Sequence, residues 1–253
     1  MIGAMFAHPY LSGPGPLAFA HRGGNRHAPE NTAAAFEHAV SLGYRYLETD
    51  VHLTSDGSLA AFHDPDLQRT CGVASKISEL TWTELAELRV DEKEPIPLMS
   101  ELLERWPDRR FNIDCKSDDA VDALESLIET TGAIDRVCLG AFSLRRLTRL
   151  RKLLGPRLLT SMSPAETASL RVFGRLAGDH QRAAQVPPSQ GPVTVVDERF
   201  VARAHRRGIP VHVWTINDAD EMHRLLDIGV DGLMTDDVAL LKQVYVERGL
   251  WND

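Results

Sequence analysis

Cysteine is scarce in this chain of 253 residues: Cys71, Cys115 and Cys138 are the whole complement. The number is odd and no pair has C-x-x-C spacing, which argues against a disulfide framework and a zinc–thiolate site. Unpatterned thiols suit a reducing compartment, so a cytoplasmic protein is expected. Positive charge is also in deficit, with 28 Lys and Arg against 36 Asp and Glu and a formal charge of −8. No basic cluster offsets that balance, so neither nucleic acid nor a stable membrane association is expected. An anionic small molecule would have to be drawn by a local site. No apolar run approaches the roughly 18 residues of a membrane span. Residues 1–16 hold no Lys or Arg but three prolines and three glycines. They read as a flexible arm rather than a secretory signal.

What is present is a rhythm. Apolar residues make up 43 % of the chain, enough for a sizeable core. Short apolar runs at 17–20, 46–51, 110–115, 136–139, 157–161, 183–186, 210–214 and 232–235 read as strands. Between them, 32–42, 120–130, 144–154, 198–207, 219–227 and 238–248 carry apolar residues at helical spacing. Eight strands alternating with helices predict parallel strands with helical crossovers, and eight such units predict closure. The expected fold class is therefore α/β, a TIM (β/α)8 barrel forming one domain over 17–250. Two stretches break the rhythm. The interval after strand 2 is too long for one loop and one helix, and 64–97 reads as a small insertion on the strand-end face. Residues 163–182 are helical in pattern but weakly amphipathic, and a 187–192 loop follows.

The chemistry-bearing residues sit where strands end. Residues i and i+2 of a strand share a face, so Glu48 and Asp50 point the same way, as do Asp114 and Lys116 with Asn112 behind them. In a barrel these positions face the axis near the C-terminal mouth, where such folds keep their active sites. Three carboxylates converging there would repel one another without a cation, and oxygen-only ligands favour Mg²⁺ or Ca²⁺ over zinc. A solvated strand edge is the bland alternative for one pair; a matching pattern two crossovers later argues against it. His21 closes strand 1 and His63 lies in the turn before Pro65. A histidine pair suits phosphodiester cleavage, one accepting the attacking proton and the other protonating the leaving oxygen. His52 continues the Glu48 and Asp50 face, but the ligand set is complete without it, so a neighbouring role is expected. His8, His27, His38, His180, His205 and His223 read as structural or exposed. Arg22 and Lys116 supply fixed positive charge for phosphate oxygens. Trp214 is either an apolar wall for a small carbon group or a core residue. The stretch Gly229 to Asp236 reads as a turn into strand 8 and a possible helix cap.

The ordered motifs His21-Arg22-Gly23, Pro29-Glu30-Asn31-Thr32, Glu48-Thr49-Asp50-Val51, Phe62-His63-Asp64-Pro65, Asp114-Cys115-Lys116, Trp214-Thr215-Ile216-Asn217 and Gly229-Val230-Asp231-Gly232 resemble those of the glycerophosphodiester phosphodiesterase family. The resemblance runs from about Leu17 to Leu241. It implies a TIM barrel with an insertion after strand 2. It also implies hydrolysis of a small-molecule glycerophosphodiester to sn-glycerol 3-phosphate and an alcohol. By position, it implies His21 and His63 as the acid–base pair and Arg22 and Lys116 as phosphate ligands. Glu48, Asp50 and Asp114 become the ligands of one divalent cation, and Trp214 the apolar contact to glycerol. In that family the glycerol 2-hydroxyl is thought to attack phosphorus, giving a cyclic phosphate that water opens. The chain departs from the pattern at Asp114, where Glu is usual, and at Ala141-Phe142, where Ser-Phe is usual. Two rival readings are a lysophospholipase D acting on lysolipids and a catalytically silent binding protein of the same fold. The first would need an apolar groove, yet the insertion's apolar residues look like a small core of their own. The second would be expected to have lost a histidine or a ligand.

Overall fold

The computed structural model describes residues 8–13 and 15–251. Eight strands form the central sheet: β1 Leu17–Ala20, β2 Tyr46–Leu53, β3 Arg110–Cys115, β4 Val137–Gly140, β5 Leu159–Ser161, β6 Arg182–Val186, β7 Val211–Val213 and β8 Gly232–Thr235. Each pairs in parallel with the next, and β8 pairs with β1, so the sheet closes into the predicted barrel. The strand Leu59–Ala61 extends β2 as an antiparallel partner.

Helices α1 Ala33–Ser41, α2 Met99–Arg105, α3 Ala120–Thr131, α4 Leu144–Leu154, α5 Pro164–Phe173, α6 Glu198–His205, α7 Ala219–Asp227 and α8 Val238–Glu247 follow the strands in turn. Their starts are written in cap residues. The side chains of Thr32, Ser143, Ser163, Asp197, Asp218 and Asp237 each accept an N–H of the first turn. Helix α2 lacks that signature. Its N-cap is Leu98, and Glu101 alone reaches back to the Leu98 N–H at 3.1 Å.

Two packed zones hold the barrel. Outside the sheet, Phe36, Leu47, Phe111, Leu124, Leu150, Phe200, Leu225 and Leu241 belong to one continuous core between strands and helices. Inside, Tyr10, Leu17, Phe19, Tyr46, Cys138, Leu159 and Met234 fill the axis. Each fully buried large apolar side chain contributes about 1.5–3 kcal/mol. Tyr10 corrects one expectation. Residues 8–13, read from sequence as part of a flexible arm, are folded onto the barrel. Tyr10 is fully buried and packs edge-on to Tyr46 at 5.3 Å, and its carbonyl accepts the Tyr46 hydroxyl at 2.8 Å. Pro9 opens a single turn over Pro9–Leu11, with His8 bonded to the Arg157 carbonyl at 2.8 Å. Residues 1–7 and 14 of that arm lie outside the described residues.

The segment after β2 has its own small core of Phe62, Leu67, Ile77, Leu85, Val90 and Ile96. It carries a two-stranded ribbon, Arg89–Val90 with Glu94–Pro95. A second ribbon, Ser189–Gln190 with Val193–Thr194, occupies the stretch read as a loop.

Candidate active site

The register of β2 against β3 assembles the acids. Asp50 lies directly beside Asp114, and Glu48 beside Asn112, all facing the axis. Lys116 continues from the end of β3, and its Nζ sits 2.8 Å from Asp50 and 2.7 Å from Asp114. Asp50 also accepts from the Asn31 amide at 3.0 Å and lies 3.3 Å from Arg22 Nε. Burial raises the Asp50 carboxyl pKa, but Lys116 and Arg22 outweigh it and hold the group below the usual carboxylate range. The Lys116 ammonium loses by burial and gains more from the two acids, so its pKa is raised. Glu48 gains less from its neighbouring cations, His21 and Arg22. It is buried, its hydrogen bond is the Arg22 N–H at 2.9 Å, and burial followed by repulsion from Asp50 pushes its pKa well up.

The turn after β1 positions the cationic groups. Arg22 adopts a left-handed backbone conformation at φ 51°, unusual for a non-glycine residue, and this aims its N–H at Glu48. Gly23 follows because nothing else fits: a Cβ there would lie 2.8 Å from that of Ala35. Asn31, also left-handed at φ 57°, bonds the Arg22 carbonyl through its own N–H, and its side chain links Thr49 to Asp50. Arg22 Nε is buried with no aligned acceptor.

Both histidines present the same face. His21 Nδ1 lies 2.7 Å from Asp236 and His63 Nδ1 lies 2.6 Å from Asp64. A carboxylate only accepts, so each Nδ1 carries its proton outward and leaves Nε2 able to take one. His21 Nε2 stands 3.8 Å from Glu48. Burial lowers the His21 pKa, but the Glu48 charge and the Asp236 hydrogen bond together raise it. Asp236 in turn accepts from the Asn217 amide at 2.8 Å. His52 braces rather than reaches in, with Nε2 3.0 Å from the His63 carbonyl. Trp214 is half-buried at the mouth, edge-on to Phe142 at 5.9 Å between ring centroids.

The residues singled out from sequence thus lie around one barrel mouth, with His21 beside Glu48 and His63 beside Asp50. Among the described residues, however, no three His, Cys, Asp or Glu side chains already converge to hold a metal ion, because Lys116 stands between Asp50 and Asp114. Sequence reasoning passed over the residues that orient the others. Asp64, Glu30 and Asn31 sit inside quoted motifs but received no role. Asp236 was assigned to a turn and cap, whereas the cap is Asp237 and Asp236 holds His21. Arg69 joins the two sides, bonding Asp64 at 2.5 Å and Glu30 at 2.6 Å, while Glu30 meets Arg22 at 3.0 Å.

Similar proteins share this architecture. The protein named "Probable glycerophosphodiester phosphodiesterase 2" of Mycobacterium tuberculosis is 36 % identical over 96 % of both chains. The glycerophosphodiester phosphodiesterase structure from Thermotoga maritima superposes with a TM-score of 0.75 at 28 % identity, covering 90 % of this chain and 98 % of that one. An Oleispira antarctica phosphodiesterase, solved with the product sn-glycerol-3-phosphate, gives 0.77 at 23 % identity, covering 92 % and 97 %. Residues 21–240 match the Glycerophosphoryl diester phosphodiesterase family. The chain belongs to that family of phosphoric diester hydrolases.

Proposed function

We propose that this protein hydrolyses glycerophosphodiesters to sn-glycerol 3-phosphate and an alcohol, with one Mg²⁺ or Ca²⁺ and a His21/His63 acid–base pair. The observation that carries the reading is the pair of imidazoles with their Nδ1 atoms held by Asp236 and Asp64, flanking Arg22 and Lys116 at one mouth. One Nε2 accepts the proton of the glycerol 2-hydroxyl as that oxygen attacks phosphorus. The other protonates the leaving oxygen as its bond to phosphorus breaks, yielding a cyclic phosphate. Water then opens the ring with the two imidazoles in exchanged roles. Arg22 grips non-bridging oxygens with its fork, and Lys116 adds a point charge. Trp214 packs against the glycerol carbons.

The residues fit a hard divalent cation. Glu48, Asp50 and Asp114 offer only oxygen in a largely buried site, and a cation there would offset the burial cost and the Asp50 repulsion that raise the Glu48 pKa. Bound there, the ion would act as a Lewis acid on the phosphoryl oxygens. The free thiols Cys71, Cys115 and Cys138 support a cytoplasmic setting. No helix among the described residues is long and apolar enough to cross a membrane.

The test is a coupled assay of sn-glycerol 3-phosphate release. Chelation is expected to abolish turnover, and Mg²⁺ or Ca²⁺ to restore it. His21→Ala or His63→Ala is expected to lower kcat by on the order of 10²–10⁴ with the melting temperature held. Near-normal rates in both variants would remove the mechanism. One observation favours the lysolipid reading: Phe142, edge-on to Trp214, is 63 % exposed and would meet an acyl chain on glycerol. The insertion lends it nothing, since Leu67, Ile77 and Leu85 are fully buried. Comparing glycerophosphocholine with lysophosphatidylcholine turnover separates the two.

A further inference from the structure

Beside the catalytic mouth, between the loop after β1 and the insertion, lies a second cavity of about 530 Å³. Its walls include Arg26, His27 and Glu30 from the loop and Arg69, Asp91 and Lys93 from the insertion. Two of these residues are shared with the catalytic network. Glu30 bonds Arg22 at 3.0 Å, and Arg69 bonds Asp64, the partner of His63, at 2.5 Å. A molecule in this cavity meets Glu30, which bonds Arg22, and Arg69, which bonds the His63 partner Asp64.

The chemistry of the lining selects its occupant. In a chain of formal charge −8, three permanent cations and an imidazole gather here against two carboxylates, Glu30 and Asp91. Glu30 is already bracketed by Arg22 and Arg69, and Arg69 also pairs with Asp64, while among the described residues the one ion pair of Arg26 is a long contact of 3.9 Å to Asp237. Ala28 and Pro29 are the only apolar residues of the lining, and no Phe, Tyr or Trp is among them. A quaternary ammonium is recognised by aromatic faces, which this cavity lacks. An acyl chain needs an apolar wall. Guanidinium and ammonium groups instead suit hydroxyls and, better, a second anionic group. The volume falls in the usual range for a small-molecule site.

We infer that this cavity is a headgroup subsite, holding the leaving alcohol when it is a polyol, and most favourably one that carries further negative charge. The inference rests on the proposed glycerophosphodiester hydrolysis and names its substrate class. Arg26 and Lys93 are the specificity-determining residues, and Arg69 couples the occupied subsite to His63.

The test measures kcat/KM for three sn-glycero-3-phosphodiesters, with inositol, inositol phosphate and choline as headgroups, at saturating divalent ion. The wild type is expected to prefer inositol phosphate over inositol, and inositol over choline, mainly through KM. Arg26→Ala and Lys93→Ala are each expected to lower the inositol phosphate to choline ratio about tenfold, the scale of one lost charge-assisted hydrogen bond. Both side chains lie on exposed loop positions, and an unshifted melting temperature confirms an intact fold. Choline turned over as well as inositol phosphate, or a ratio that survives the double substitution, overturns the subsite alone. Hydrolysis of none of the three overturns the activity reading and the subsite with it.

Discussion

His21 and Asp236 are 215 positions apart, yet their contact decides which imidazole nitrogen is basic. The other Asp236 oxygen accepts from the Asn217 amide, and the Asn217 carbonyl accepts the Asp236 N–H at 2.9 Å. That fixes the consequence of Asp236→Asn. Asn217 demands an oxygen on its side, so the new amide would turn its NH₂ toward His21 Nδ1. That nitrogen would become an acceptor, and the proton would move to Nε2, the atom that must be free. A kcat loss on the order of 10²–10⁴ is expected, together with a displaced acidic limb of the pH–rate profile. A kcat within a few-fold of wild type would show that the dyad does not set the tautomer. A second buried imidazole gives a stability signature. His212 is fully buried on the barrel axis, and burial lowers its pKa to about 4. The unfolded chain takes a proton near pH 6.5 that the folded barrel refuses, so stability declines as pH falls from 6.5 toward 4. The full loss is about 3 kcal/mol, and His212→Gln is expected to remove that window from a pH series of denaturant titrations. Glu48, Asp50 and Asp114 were legible from the period of two along a strand. Asp236 was not, because only barrel closure brings β8 beside β1.

At the scale of elements, legibility followed the strength of local signals. The strands Leu17–Ala20, Arg110–Cys115 and Gly232–Thr235 and the helices Leu144–Leu154 and Ala219–Asp227 fall where the apolar periodicity puts them. Helix α2 was missed because Leu98 gives no polar start signal. Helix α5 read as weakly amphipathic because its inner face carries a charge. Glu166 bonds Arg151 at 2.8 Å and Arg182 at 3.0 Å, and all three side chains are nearly buried. Such a triad is invisible to a hydrophobic pattern because its members come from α4, α5 and β6. It is also a point of vulnerability. Glu166→Ala would leave two guanidinium groups buried without their carboxylate, at a cost of about 3–5 kcal/mol. For a domain of this size, that corresponds to a melting temperature lowered by roughly 6–20 °C. A drop under 2 °C would mean that water reaches the pair and that the triad contributes little.

At the scale of the whole molecule, charge and site oppose each other. The chain carries −8, and the mouth itself gathers Glu30, Glu48, Asp50, Asp64, Asp114 and Asp236 around Arg22, Arg69 and Lys116. An anionic diester therefore approaches against a repulsive long-range field and is held only by short-range contacts and, on the proposed mechanism, a divalent ion. The two ranges respond differently to salt. The Debye length falls from about 30 Å at 0.01 M to about 8 Å at 0.15 M, which screens the distant charges but barely reaches groups paired below the surface. With the divalent ion held saturating, kcat/KM for an anionic glycerophosphodiester is expected to rise about two- to threefold over that interval and then level off. A zwitterionic choline diester, with no net charge to be repelled, is expected to stay flat. A steep fall with salt for the anionic diester would mean that the cationic rim of Arg26 and Lys93 steers substrate from a distance, and that the acidic surface plays no part in its approach.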